Sequence, residues 1–262
     1  MKALVLCSGG IKSAFLVGMA KREENITLVE ALWIDHGQIN AEQEFKATAA
    51  ICQYYSAHLN TISLNEGVKF KEWLPFSFTL LLWHGCMFAR KNNFQFLYYG
   101  TSRDDNHREK GMEYLKYLQQ LIDTIQPKYD TDGFMIADRL QIEAPLLLLT
   151  LPRILFLGTE FNIPWNLTWS CENAGSRHCG ICDQCLRRKK AFQEVTALKS
   201  PIVDSAHYSH TPHEVLRPLA PIWCHAQFYY LGERHCLLSV DAPLCPHQTP
   251  EEAKYSCVDF KE

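Results

Sequence analysis

No apolar run in this 262-residue chain approaches the roughly 20 residues that a membrane-spanning helix needs. The most apolar stretch, PFSFTLLLWHGCMF, is short and interrupted by His84, so a buried helix is expected there. No secretory leader is expected either, because in MKALVLCSGG a short apolar run gives way at once to small, turn-forming residues. Basic residues are not in excess. Lys and Arg number 26 against 29 Asp and Glu, for a formal net charge of −3, which argues against the concentrated cationic surface that grips nucleic acid. Internal repeats and low-complexity tracts are absent. The expectation is a soluble, cytoplasmic protein with no membrane partner and no direct nucleic-acid binding.

What the chain does have is core-forming material and thiols. Hydrophobic residues make up 47% of it, enough for a substantial core, and there are 11 cysteines. In a small secreted protein such a count implies disulfides. In a chain of this size it fits reduced thiols, buried or metal-bound.

Strand-like runs at 2–6, 27–34, 59–64 and 94–100 alternate with helical patterns at 12–22, 41–55, 76–91 and 108–125. In the second helix Phe45, Ala49 and Cys52 mark the apolar face; in the fourth, Met112, Leu115, Leu118 and Ile122 do. Alternation of this kind implies an α/β fold, with a parallel sheet covered by helices on both faces. Ligands of such sheets bind beyond the carboxyl ends of the strands. The loops Cys7–Ser13, Asp35–Asn40 and Gly100–His107 therefore converge at one edge, bringing Asp35, Gln38, Ser102, Arg103 and Asp104 together. After about residue 200 the texture changes: 201–262 holds seven of the 12 prolines and six of the 11 histidines. It reads as a C-terminal extension packed on a main domain of residues 1–200.

Two segments carry chemistry. In CSGGIKS, a strand-to-helix turn aims backbone N–H groups at an anion, and the helix dipole adds positive charge. Gly9 and Gly10 allow close approach, while Ser8 and Ser13 supply hydroxyls. Neither a Walker loop nor a GxGxxG fingerprint is present, so an ordinary helix-capping turn is the competing interpretation.

The second segment is TWSCENAGSRHCGICDQCLRRKKAF, residues 168–192. Cys171 followed by Cys179, Cys182 and Cys185 can close a tetrahedral Zn²⁺ site, with Gly180 easing one turn. Four thiolates leave no open position, which makes the metal structural. The basic LRRKK run offsets part of the centre's negative charge. An iron–sulfur cluster is the chemical rival, but no cysteine–proline pair follows Cys185. His178 reads as a neighbour of the site, not a ligand.

Together these segments resemble the 7-cyano-7-deazaguanine synthase (QueC-like) family of PP-loop ATP pyrophosphatases. The matching residues are Ser8-Gly9-Gly10-Ile11-Lys12-Ser13, Asp35-His36-Gly37-Gln38, and Thr168-Trp169-Ser170-Cys171 with the three later cysteines, over about residues 1–195. The resemblance implies a Rossmann-like adenine-nucleotide alpha-hydrolase fold. It also implies an enzyme that uses ATP and Mg²⁺ to adenylate the carboxylate of a 7-deazaguanine substrate, in queuosine biosynthesis. On this footing Ser8, Gly9, Gly10, Ser13, Asp35 and Gln38 bind the nucleotide. Gly100, Ser102, Arg103 and Asp104 face the substrate, and Lys12, Ser13 and Arg153 are the catalytic candidates.

The departures are specific. Lys12 stands where the family pattern SGGxDS has an acid. The family's PGRN segment falls near Leu74-Pro75-Phe76-Ser77-Phe78 without its arginine and asparagine, and Arg153 falls where a lysine is expected. Lys12 either neutralises phosphate, removes an anchor for magnesium, or points to solvent. The alternative function is a non-catalytic nucleotide- or deazapurine-binding relative, acting on a protein partner through residues 201–262. A homodimer is a further expectation. Cys224, His225, His235, Cys236, Cys245, His247 and Cys257 match no zinc module.

Overall fold

The computed structural model describes residues 1–64, 77–105, 111–125, 139–197 and 202–209, and the backbone of two short strands at 227–230 and 233–236. The chain divides into two units, Met1–Val215 and Leu216–Glu262.

The first unit is built on five parallel strands: β1 (Lys2–Leu6), β2 (Leu28–Asp35), β3 (His58–Ser63), β4 (Phe96–Tyr98) and β5 (Gln141–Glu143). Their order across the sheet is β3-β2-β1-β4-β5. β1 is central, with Ala3 opposite Val29 on one side and Phe96 on the other. It must therefore be apolar on both faces, and Ala3, Leu4 and Val5 are fully buried.

Alternation along the strands sorts the core into two layers. Ala3, Val5, Val29 and Ala31 pack with residues of α1 (Ile11–Ala20), α2 (Ala41–Tyr54), α5 (Leu151–Glu160) and α6 (Asp183–Ala197). Leu4, Leu32, Ile34 and Leu97 face the other way, onto α3 (Ser77–Lys91) and α4 (Met112–Ile125). Helices thus cover both faces, as the strand–helix alternation implies.

Within α2 the register differs from the apolar spacing expected. Phe45 is exposed, and Ala47, Thr48, Ile51 and Cys52 form the buried face. Ile51 and Cys52 pack into the sheet-side core, while Ala47 lies against the first loop, where a Cβ on Gly9 would meet it at 2.7 Å.

β5, α5 and α6 complete the unit beyond the last element expected from periodicity. Residues 202–209 belong to this unit too. Ile202 is buried in the core, and Asp204 pairs with Arg188 of α6. In the second unit, β6 (Gln227–Tyr230) and β7 (Glu233–Cys236) form an antiparallel hairpin. The side chains of the aromatic stretch 221–231 and of the Cys/His set from Cys224 to Cys257 lie outside the described residues, as do Leu74–Phe76 and Asn106–Arg108. No helix among the described residues is long and apolar enough to cross a membrane.

Candidate functional site

The chain runs from β1 to β2 and β3 on one side of the sheet, then crosses to β4 and β5 on the other. The loops after β1 and β4 therefore part company at the carboxyl edge, the position where sheets of this class hold ligands. A cavity of about 400 Å³ opens there, within the range of roughly 300–1,000 Å³ typical of small-molecule sites. Cys7, Ser8, Gly10, Lys12 and Ser13 line it from the first loop, His36, Gln38 and Asn40 from the second, and Gly100, Ser102, Asp104 and Asp105 from the third. The three loops expected to converge do so.

The first loop is shaped by Gly9, at φ +72°. A Cβ there would meet Ala47 Cβ and the Glu44 carbonyl at 2.7 Å, so no larger residue fits. Gly10 is the N-cap of α1, and its carbonyl accepts the Ala14 amide at 3.0 Å. Ser13 is buried, and its hydroxyl donates to the Gly10 carbonyl at 3.1 Å. The start of α1 thus presents its unpaired first-turn amides and partial positive charge at the cavity wall.

Lys12 points into this cavity and not to solvent. Its Nζ forms an ion pair with Asp105, whose side chain is only 8% exposed. Asp105 Oδ2 also accepts the Ser102 amide at 2.8 Å and the Ser102 hydroxyl at 3.1 Å.

The neighbouring acid serves the backbone instead. The Asp104 carboxylate accepts the Leu151 amide at the start of α5, and its carbonyl accepts Arg187 Nη1 at 3.1 Å. Arg103 is exposed, and its amide donates to Leu149. Arg153 is exposed in the first turn of α5, its guanidinium 5.2 Å from the Phe156 ring centre. Neither arginine lines the cavity. Asp35 is tied into its own turn through the Gly37 amide at 3.0 Å.

Gln38 donates to Glu44 at 2.9 Å, and Asn40 donates to the other carboxyl oxygen at 3.2 Å. Burial pushes the Glu44 carboxyl up to about 7, the Gln38 and Asn40 hydrogen bonds opposing and Asp35 adding to the rise. Glu44 is a cavity residue that neither motif nor spacing singles out in the sequence, whereas Asp105 belongs to the Gly100–His107 loop expected at this edge, though without its pairing to Lys12.

The thiols of Cys171, Cys179, Cys182 and Cys185 lie within 4.8 Å of one another. A tetrahedral zinc with bonds of about 2.3 Å would set its sulfurs about 3.8 Å apart, and two of the pairs stand at 4.0 Å. The donor set fits one ion. A [4Fe–4S] cluster would need wider spacing, because each thiolate there binds a different iron. Gly180, at φ +81°, makes the turn between Cys179 and Cys182. Burial raises the Cys179 thiol, but the amide hydrogen bonds from Ile181 and Cys182 and the side-chain bonds with Asn173 and Cys171 together bring its pKa below the ordinary value. His178 is buried outside the set, its Nε2 accepting the Ser170 amide at 3.1 Å.

The cysteine segment also forms part of the cavity wall. The Trp169 amide donates to the Gly9 carbonyl at 2.8 Å, and Asn40 donates to the Cys171 carbonyl at 2.8 Å. Arg188, 1% exposed, reaches Asp204 at 2.9 Å, Thr168 Oγ1 at 2.8 Å and Ser170 Oγ at 3.2 Å. Of the basic run, expected to offset part of the charge of the metal centre, Arg188 pairs with Asp204 and Arg187 with Asp183, while Lys189 Nζ donates to the Gly180 carbonyl of the cysteine loop at 3.1 Å.

A parallel α/β unit, an anion-type loop at the sheet's switch point and an adjoining four-cysteine cluster define a PP-loop-like protein with a metal-binding segment. The chain belongs to the family of the queuosine biosynthesis protein QueC, whose model matches residues 63–196. The 7-cyano-7-deazaguanine synthase of Picrophilus torridus is 26% identical over 218 residues, covering 74% of this chain and 87% of that protein. That of Trichormus variabilis is also 26% identical, over 232 residues, covering 77% and 97%. Among solved structures, the U34-tRNA thiolase NcsA of Methanococcus maripaludis overlaps with a TM-score of 0.44 at 14% identity, covering 76% of this chain and 66% of that one.

Proposed function

We propose that this chain is an ATP-dependent, AMP-forming enzyme that activates the carboxylate of a 7-deazaguanine-type substrate for attack by a nitrogen nucleophile. The observation that carries this reading is the cavity at the start of α1, where Lys12 and the helix amides face a pocket of ligand size. Family membership supplies the substrate class.

A carboxylate is a poor electrophile because its leaving group would be oxide. Attack of the carboxylate oxygen on the α-phosphorus of ATP expels pyrophosphate and leaves an acyl adenylate. The amine then adds to the acyl carbon, and AMP departs with the C–O bond's electrons. The α1 amides and Lys12 stabilise the phosphate charge that builds up in the first step. Ser8 and Gly10 shape the loop around it. The apolar wall of Leu32, Ile34 and Leu81 excludes water that would hydrolyse the adenylate. Cys171, Cys179, Cys182 and Cys185 would hold zinc, which would brace the segment whose Trp169 amide donates to the Gly9 carbonyl.

Purified protein given ATP, Mg²⁺, 7-carboxy-7-deazaguanine and ammonia should release AMP and pyrophosphate in a substrate-dependent manner. Absence of AMP under these conditions, with the nucleotide still bound, would favour the non-catalytic relative, a reading to which the engagement of Lys12 by Asp105 lends itself.

A further inference from the structure

The resemblance implies a magnesium ion beside the phosphates, and the residues of the loop do not fit one. Four carboxylates line the cavity among the described residues: Glu44, Asp104, Asp105 and Glu172. Glu44 is bound by Gln38 and Asn40. Asp104 accepts the Leu151 amide, and Glu172 is an exposed neighbour of Cys171. Asp105, the carboxylate beside α1, already carries the Lys12 ammonium. A hard divalent cation takes several oxygen ligands, usually including one or two carboxylates, and here its place is held by a lysine.

The position of that lysine is fixed from below. Ser102 bonds Asp105 Oδ2 through both its amide and its hydroxyl. The loop is pinned in turn by the Asp105 amide to the Ser102 carbonyl at 3.0 Å and by the Arg103 amide to Leu149 at 2.9 Å. A lysine ammonium has three N–H donors, so engagement by one carboxylate oxygen leaves donors for a second anion. The Lys12 side chain keeps 25% exposure, whereas Asp105 is nearly closed off. The ammonium therefore sits between a fixed acid on one side and the open cavity on the other.

We propose that the anion site at the start of α1 is charged from within: Lys12, positioned by Asp105, supplies the cation that a polyphosphate needs there, and such a ligand binds without a divalent metal. This inference rests on the nucleotide reading of the cavity. Lys12 contacts the anion, and Asp105 acts through Lys12 as a positioning residue.

The test is calorimetric titration of the full-length, zinc-loaded chain with inorganic pyrophosphate, once with free divalent cations removed by a weak magnesium chelator that leaves zinc bound, and once with excess Mg²⁺. Wild-type affinities in the two conditions should agree within about threefold, and Lys12→Met should lower the metal-free affinity by about tenfold or more. Lys12→Arg keeps a cation and should retain metal-free binding. Lys12→Asp sets a second carboxylate against Asp105, so its binding should appear only with Mg²⁺. Pyrophosphate binding by wild type that requires Mg²⁺, that is undetectable in both conditions, or that Lys12→Met leaves unchanged overturns the proposal. ATP cleavage is read separately: no AMP with metal-free pyrophosphate binding intact removes the enzyme reading and leaves this inference standing. AMP release together with strictly Mg²⁺-dependent pyrophosphate binding does the reverse.

Discussion

Glu44 combines a position in the cavity wall with a carboxyl raised to about 7 from an ordinary value of 4.5, mainly by burial. Between those two values the folded chain keeps a proton that the unfolded chain has released. Stability therefore declines as pH rises through that window, and is greatest below it. A displacement of this size corresponds to on the order of 3 kcal/mol. Denaturant unfolding at pH 5 and pH 8 should show wild type losing stability relative to Glu44→Gln by that order. Parallel pH responses of the two proteins would mean that Glu44 ionises normally. Nothing in the sequence marks this residue, because it lies between Glu42 and Phe45 on a helix whose apolar spacing assigns it no face. Lys12 is the opposite case. Its place in a strand–loop–helix turn makes it conspicuous, while its partner Asp105 comes from a loop 93 residues away that periodicity cannot pair with it.

Among the elements, the cysteine segment does the most to join separate parts of the chain. Its ligand spacing is legible because metal chelation within a short loop is a local property. Its attachment is not local: Trp169 holds the Gly9 carbonyl and Cys171 receives Asn40. Removing the metal with a strong chelator should free both contacts. The thermal midpoint is expected to fall by about 10 °C or more, and affinity for ligands of the cavity should drop with it. Metal analysis of the untreated protein should find close to one zinc per chain. Visible absorption from bound iron, or a midpoint indifferent to chelation, would contradict this. β5 and α5 escape a periodicity reading for a physical reason. A three-residue strand carries too little alternation to register, and the apolar run before Pro152 reads equally as strand or helix.

For the whole molecule, the parallel sheet is legible because strands buried on both faces leave apolar runs bounded by polar loops. The limit of the first unit is not, since its closing contacts are single side chains. A chain ending at residue 200 loses Ile202 from the core and strands Arg188, 1% exposed, without Asp204. Removing one partner of a buried ion pair costs about 3–5 kcal/mol, so this truncation should be poorly soluble or unfold early. One ending at Val215 keeps both residues and should unfold near the full-length midpoint. Equal midpoints for the two truncations would show that residues 202–209 contribute little. The Trp169–Gly9 hydrogen bond also has a meaning in time. The turn at Gly9 leaves the ribosome 160 residues before Trp169, which follows only after all five strands of the sheet. With synthesis running at about 5–20 residues per second, the nascent pocket spends seconds without its roof. Metal capture by Cys171, Cys179, Cys182 and Cys185 would then be a closing event of biogenesis, and a cell short of that metal would accumulate chains whose sheet is assembled but whose pocket stays open.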